Sequence, residues 1–124
     1  MIRLTVGNHI ITAELSDTTA ARALAELLSH GPIRMTASNY GGFEKVCELG
    51  TRLTSDDIQT VTQPGDIMLY SGDKIVIFYG SNTWAYTRLG RVVSVDGNDI
   101  SGLREALSGK ESEIVIELAV DCPA

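Results

Sequence analysis

Ile75-Val-Ile-Phe-Tyr79 is a run of consecutive apolar residues with strong strand preference, and nothing in it offers water a face. Successive side chains of a strand point to opposite sides, so such a run must be covered on both. One side can rest on a core. The other needs a second element, or a cleft that a ligand fills. Just upstream, Pro64-Gly65 is a turn signal, Ile67 to Tyr70 is another apolar run, and Ser71-Gly-Asp-Lys74 joins the two runs. Together they predict a central hairpin.

The rest of the chain is arranged about that hairpin. Ile2 to Val6 alternates apolar and polar residues, Gly7-Asn8 supplies a two-residue turn with Gly where positive φ is needed, and His9 to Leu15 is the return strand. Ser16-Asp17 reads as a helix cap. Thr18 to Ser29 then places Ala21, Leu24, Ala25 and Leu28 on one helical face, and Gly31-Pro32 ends the helix. Ile33 to Ser38 is a third strand, Asn39-Tyr-Gly-Gly42 a turn, and Phe43 to Leu49 a return strand whose inward face Lys45-Val46-Cys47 leaves open. Gly50 to Thr62 has no sustained period and is expected to be a loop. A second loop, Gly80 to Thr83, carries Trp84. Leu89 to Val95 predicts a strand and Asp96-Gly-Asn98 a turn. A short helix capped by Asn98 or Asp99 then turns Ile100, Leu103, Ala106 and Leu107 inward, and Glu113 to Val120 is a last alternating strand.

The sum is about eight strands and two helices in a single domain spanning residues 1–124. Few sheet edges carry protecting Pro or Lys, which favours closure. The expected fold class is mainly β: a closed eight-stranded β-barrel with two capping α-helices.

Charge narrows the function. A formal net charge of −6 without clustered Lys or Arg argues against nucleic acid and against an anionic membrane surface as partners. A peptide, or a small cationic or neutral molecule, is easier to accommodate. No apolar run reaches the roughly 18 residues of a membrane span, and Met1 leads directly into a strand, so a cytoplasmic location is expected. Cys47 and Cys122 fit two free, mostly buried thiols rather than a disulfide framework. His9 and His30 have no Cys or His at metal-ligand spacing, so no metal is expected. The glycines form no dinucleotide or phosphate-loop pattern, and no cofactor is expected either. Asp56-Asp57 reads as a solvated pair, and no serine sits in a Gly-x-Ser-x-Gly setting.

The order of elements, together with Leu89-Gly-Arg-Val-Val93, Ala106-Leu-Ser-Gly109 and the ending Asp121-Cys122, resembles the cyclophilin fold. Pro64-Gly-Asp-Ile-Met-Leu-Tyr70, Phe78-Tyr-Gly80 and Tyr86-Thr-Arg-Leu-Gly-Arg91 are similar to segments of short prokaryotic cyclophilin-like proteins of unassigned function. The resemblance implies rotation about the bond preceding proline, a barrier of roughly 18 to 20 kcal/mol set by amide resonance. That chemistry needs an arginine to donate to the prolyl nitrogen, an apolar pocket for the ring and aromatic walls.

By that resemblance Arg34, in Pro32-Ile-Arg-Met35, stands where the family has its catalytic arginine. The preceding Phe and His of the family motif are missing, and Lys45-Val-Cys-Glu48 replaces its Gln-Gly-Gly. Phe78 resembles the pocket phenylalanine. Trp84 and Tyr86 fall near the family's tryptophan and histidine. On the residues alone, Arg34 also reads as the solvent face of a strand and Phe78 as core, whereas Trp84, beside Tyr86 and Arg88, is placed like a binding-site aromatic. Two functions stay open: a module that binds a peptide or small ligand with Phe78, Trp84, Tyr86 and Arg88, and a peptidyl-prolyl isomerase with a divergent site built on Arg34. The missing motifs favour the first.

Overall fold

The computed structural model describes residues 1–110 and 112–119. Strand β1 (Ile2–Val6) pairs antiparallel with β2 (His9–Leu15) across Gly7-Asn8, where Gly7 adopts φ +57°. Helix α1 (Thr19–Leu28) follows, and Thr18 caps it instead of Ser16 or Asp17. The Thr18 hydroxyl accepts from the Ala21 N–H and donates to the Arg88 carbonyl, and an aspartate could not do both.

Next come β3 (Ile33–Tyr40), β4 (Glu44–Glu48), β5 (Ile58–Val61), β6 (Asp66–Tyr70), β7 (Lys74–Phe78) and β8 (Thr83–Val95). A 3-10 turn (Ile100–Gly102), capped by the Asp99 carboxylate, leads into α2 (Leu103–Leu107), and β9 (Glu113–Leu118) completes the sheet. Val120 and Cys122 lie outside the described residues.

The strands run in the order β2-β1-β9-β3-β4-β7-β6-β8, and β8 pairs back onto β2. That second pairing closes an eight-stranded antiparallel barrel, as expected. Closure brings backbones very close at Gly90, where an added Cβ would stand 2.3 Å from the Glu14 carbonyl oxygen. Inside lie Ile2, Leu4, Ile11, Ile67, Leu69, Ile75, Ile77 and Ile116, with Leu24 and Leu28 of α1 and Leu103 and Leu107 of α2. No helix among the described residues is long and apolar enough to cross a membrane.

Two expectations are corrected. The Gly50–Thr62 stretch contains β5, a ninth strand that pairs only with the start of β8. Its Ile58 and Val61 are exposed, so no buried face imposes a period on its sequence. Trp84 stands on β8 opposite Thr60, and the strand begins six residues before Leu89. Thr87, inside that extra length, bonds instead to the Asp56 N–H and the Asp57 carboxylate, so a polar residue holds a position that an apolar one marks elsewhere.

Strand β7 is covered on both faces. Ile75 and Ile77 enter the barrel core, while Val76 and Phe78 point outward into a second buried cluster with Met68 and Tyr86, against Phe43 and Val46. The register also settles β4. Cys47, opposite Ile75, joins the core, whereas Val46 and Glu44, opposite Val76 and Phe78, belong to the outer face.

Candidate functional site

Phe78 is the floor of the outer cluster. It is fully buried and meets the Tyr86 ring edge-on, with centroids 5.3 Å apart, and Tyr86 in turn lies 6.0 Å from Tyr70. These pairs hold the aromatic side chains at fixed tilts. Above them opens a cleft of about 470 Å³, within the range of small-molecule sites. Strand β3 contributes Tyr40 at its end, β4 Glu44 and Val46, β6 Tyr70, β7 Lys74, and the start of β8 Trp84 and Tyr86, with Asn82 just before it. Each strand sends alternate residues to this face, so the lining follows from register alone.

Asn82 is tied down from two sides. Its backbone N–H donates to Thr62 Oγ1 at 2.9 Å, and its side-chain amide donates to the Tyr86 hydroxyl at 2.9 Å. Burial pushes the Tyr86 hydroxyl upward in pKa, and the bond from Asn82 offsets part of that. Trp84 closes the open side and is 56% exposed, although the tryptophan sits on a paired strand.

Glu44 is the chemical centre of the cleft. It is 4% exposed, and among the described residues no hydrogen bond or ion pair reaches its carboxylate. Loss of water around it pushes its pKa from an ordinary 4.5 up to about 7. Lys74, the cation of the lining, is turned to other acids: its ammonium lies 3.1 Å from Asp73 and 3.9 Å from Glu48. The bond to Asp73 raises the Lys74 pKa and keeps the charge in place.

Of the residues singled out in the sequence, the structure brings Phe78, Trp84 and Tyr86 together, with Phe78 beneath the cleft and the other two in its wall. Arg34 is elsewhere. It stands on β3 opposite Val115, exposed and paired with Glu113. Arg88, opposite Met68, reaches toward the buried Asp66 at 3.3 Å, beside Arg91 at 3.2 Å, and lines no part of the cleft. No guanidinium lines it among the described residues. Glu44, Tyr40, Tyr70, Lys74 and Asn82 were not anticipated. For Glu44 a signal existed: an acid directly beside Lys45-Val46-Cys47 has to share a face with Val46, which the pairing with β7 buries.

A family model described as the cyclophilin-like family matches residues 4–117, nearly the whole chain. The chain belongs to the cyclophilin-like family. Among solved structures, this cyclophilin-like barrel is similar to the solution structure of the hypothetical protein AF2241 from Archaeoglobus fulgidus. The TM-score is 0.67 at 21% identity, over 95% of this chain and 93% of that one. At that identity the likeness speaks for the fold. No curated protein matches the sequence. Among the described residues of the cyclophilin-like chain, no group of three or more His, Cys, Asp or Glu could hold a metal ion.

Proposed function

We propose that this cyclophilin-like barrel is a cytoplasmic binding module whose outer cleft holds a small organic molecule or a short peptide segment between Tyr40, Tyr70, Trp84 and Tyr86. One observation carries the reading. The outward face of β7 is buried under an aromatic layer, and that layer opens into a cleft of about 470 Å³ rather than being sealed by a helix or loop. Aromatic rings with few rotatable bonds supply contact area at low entropic cost, which suits a ligand surface. The acidic charge of the chain supports a partner other than nucleic acid.

Prolyl isomerisation is the less supported reading. It calls for a guanidinium poised over the bound proline, and Arg34 is engaged by Glu113 on the face formed by β3 and β9. A proline-peptide isomerisation assay compares the two. The binding reading expects no acceleration above the spontaneous rate and no difference between wild type and Arg34→Ala. An acceleration that disappears in Arg34→Ala would replace it. Trp84, the single tryptophan, reports on the cleft directly. Small aromatic and peptide ligands are expected to shift its emission, and a saturating series that leaves it unmoved would remove the proposed cleft.

A further inference from the structure

We infer that the cleft takes an organic cation, an ammonium group on a small apolar body, with the ammonium against the Glu44 carboxylate and the body among Tyr40, Tyr70, Trp84 and Tyr86. This rests on the reading of the cleft as a binding site and names the class of its ligand.

Glu44 is buried as a residue but opens onto the cleft, and among the described residues no donor reaches its carboxylate. Only the water of the cleft solvates that charge, and a ligand that displaces this water leaves a proton or a positive group of its own to satisfy the acid. The walls select between ligands in the same direction. Aromatic faces are electron-rich and attract a cation within about 6 Å of the ring centre, and more strongly where water is excluded. Lys74 does not reverse this choice, because Asp73 and Glu48 hold its ammonium. An anionic ligand entering the cleft would meet Glu44 unshielded. A neutral ligand would leave the carboxylate without a partner.

Binding is therefore linked to a proton. Burial pushes the Glu44 carboxyl up to about 7, so its protonated and ionised forms exchange around neutral pH, and only the ionised form is competent to hold a cation. The titratable and charged groups about Glu44 are Tyr40 on β3, Glu48 and Lys45 on its own strand, and Tyr70 on β6. Lys74 on β7, Tyr79 just beyond it with Arg104 over its ring, and Tyr86 on β8 complete the set. Comparison with Glu44→Gln, which leaves all of these groups in place, isolates the pH dependence that belongs to Glu44.

The test uses three probes that share a benzyl group: benzyltrimethylammonium, its neutral isostere neopentylbenzene, and anionic phenylacetate. Trp84 emission and calorimetry are followed at pH 6 and pH 8. The quaternary probe keeps its charge throughout, so any pH effect comes from the protein. Its affinity is expected to rise about tenfold from pH 6 to pH 8, following the ionised fraction. Binding at pH 7 should release protons, seen as a dependence of the apparent enthalpy on the buffer. Glu44→Gln should weaken the cation at least about tenfold at pH 8 and flatten its pH profile. If the neutral or anionic probe binds as tightly as the cation, or if the affinity of the cation for wild type is the same at both pH values, the cation inference fails while the cleft remains a binding site. If none of the three moves Trp84 or gives heat, the binding reading fails as well.

Discussion

Replacing Glu44 with Gln separates the burial of this side chain from its charge, and the outcome can be worked from the structure. Folding moves the carboxyl from an ordinary 4.5 to about 7, so between those values the folded state binds more protons than the unfolded one. Stability then falls as pH rises through that window, and the loss is complete above about pH 8. A shift of this size corresponds to about 3 kcal/mol at most, and water at the mouth of the cleft reduces it to about 2 kcal/mol between pH 5 and pH 8. Gln is neutral at both. Glu44→Gln should match wild type more closely at pH 5 and exceed it by about 2 kcal/mol more at pH 8, or roughly 8 °C in Tm for a chain of this length. Urea unfolding of both proteins at the two pH values measures this as a double difference, from which every other titrating group cancels. A double difference below about 0.5 kcal/mol would refute the premise that the acid is ionised against its surroundings at neutral pH.

Other substitutions test the two faces of the barrel wall. Phe78→Ala removes a fully buried ring from beneath the cleft and should cost about 3 to 5 kcal/mol in urea unfolding, whereas Trp84→Ala, at a half-exposed position, should cost under about 1 kcal/mol. Equal costs would mean that the indole is a structural filler. Gly90→Ala would force a Cβ to within 2.3 Å of the Glu14 carbonyl where β2 and β8 close the barrel, so a loss on the order of 3 kcal/mol or more is expected, and a neutral result would place the closure elsewhere. Burial pushes the Cys47 thiol up to about 12. In a Cys122→Ser background its reaction with a disulfide reagent at pH 8 should run about a thousandfold slower in the folded protein than in urea, and comparable rates would contradict its burial.

The parts of this fold that could be read from the sequence are those in which one strand states its own requirement. Ile75 to Tyr79 announces cover on both faces, and the second cluster under the cleft provides it. Alternation likewise gives β1, β2 and β9: Ile2, Leu4, Ile11, Ala13, Ile114 and Ile116 fall in the core, while Leu15 is half-buried and Leu118, at the end of β9, is exposed. The regions that escaped depend on a neighbour. Strand β5 has a single partner and no buried side, so Ile58 and Val61 look like loop residues. The start of β8 escaped because Thr87 spends its hydroxyl on Asp56 and Asp57 rather than marking a core position. Trp84, expected on a loop, stands on β8 and lines the cleft. Arg34 shows the converse: the order of elements suggested a cleft residue, and the register sets it opposite Val115 and paired with Glu113, outside the cleft lining.

Glu44 was the least legible residue, and its burial explains why the cleft is more than leftover space. A glutamate on a strand normally signals solvent, and only the register that sets it opposite Phe78 reverses that expectation. A leucine or valine at this position would complete the outer cluster with Val46 and Val76 and remove the charge penalty, so packing alone gives no reason for an acid there. Hydrogen bonding within the barrel gives none either, since no donor among the described residues reaches the carboxylate. A proton reconciles these two facts below neutral pH, and above it the proposed cationic ligand does so from outside the chain. Arrival of such a cation would convert a buried acid of the outer face into an ion pair walled by aromatic rings, and would draw the Glu44 pKa back down toward its ordinary range.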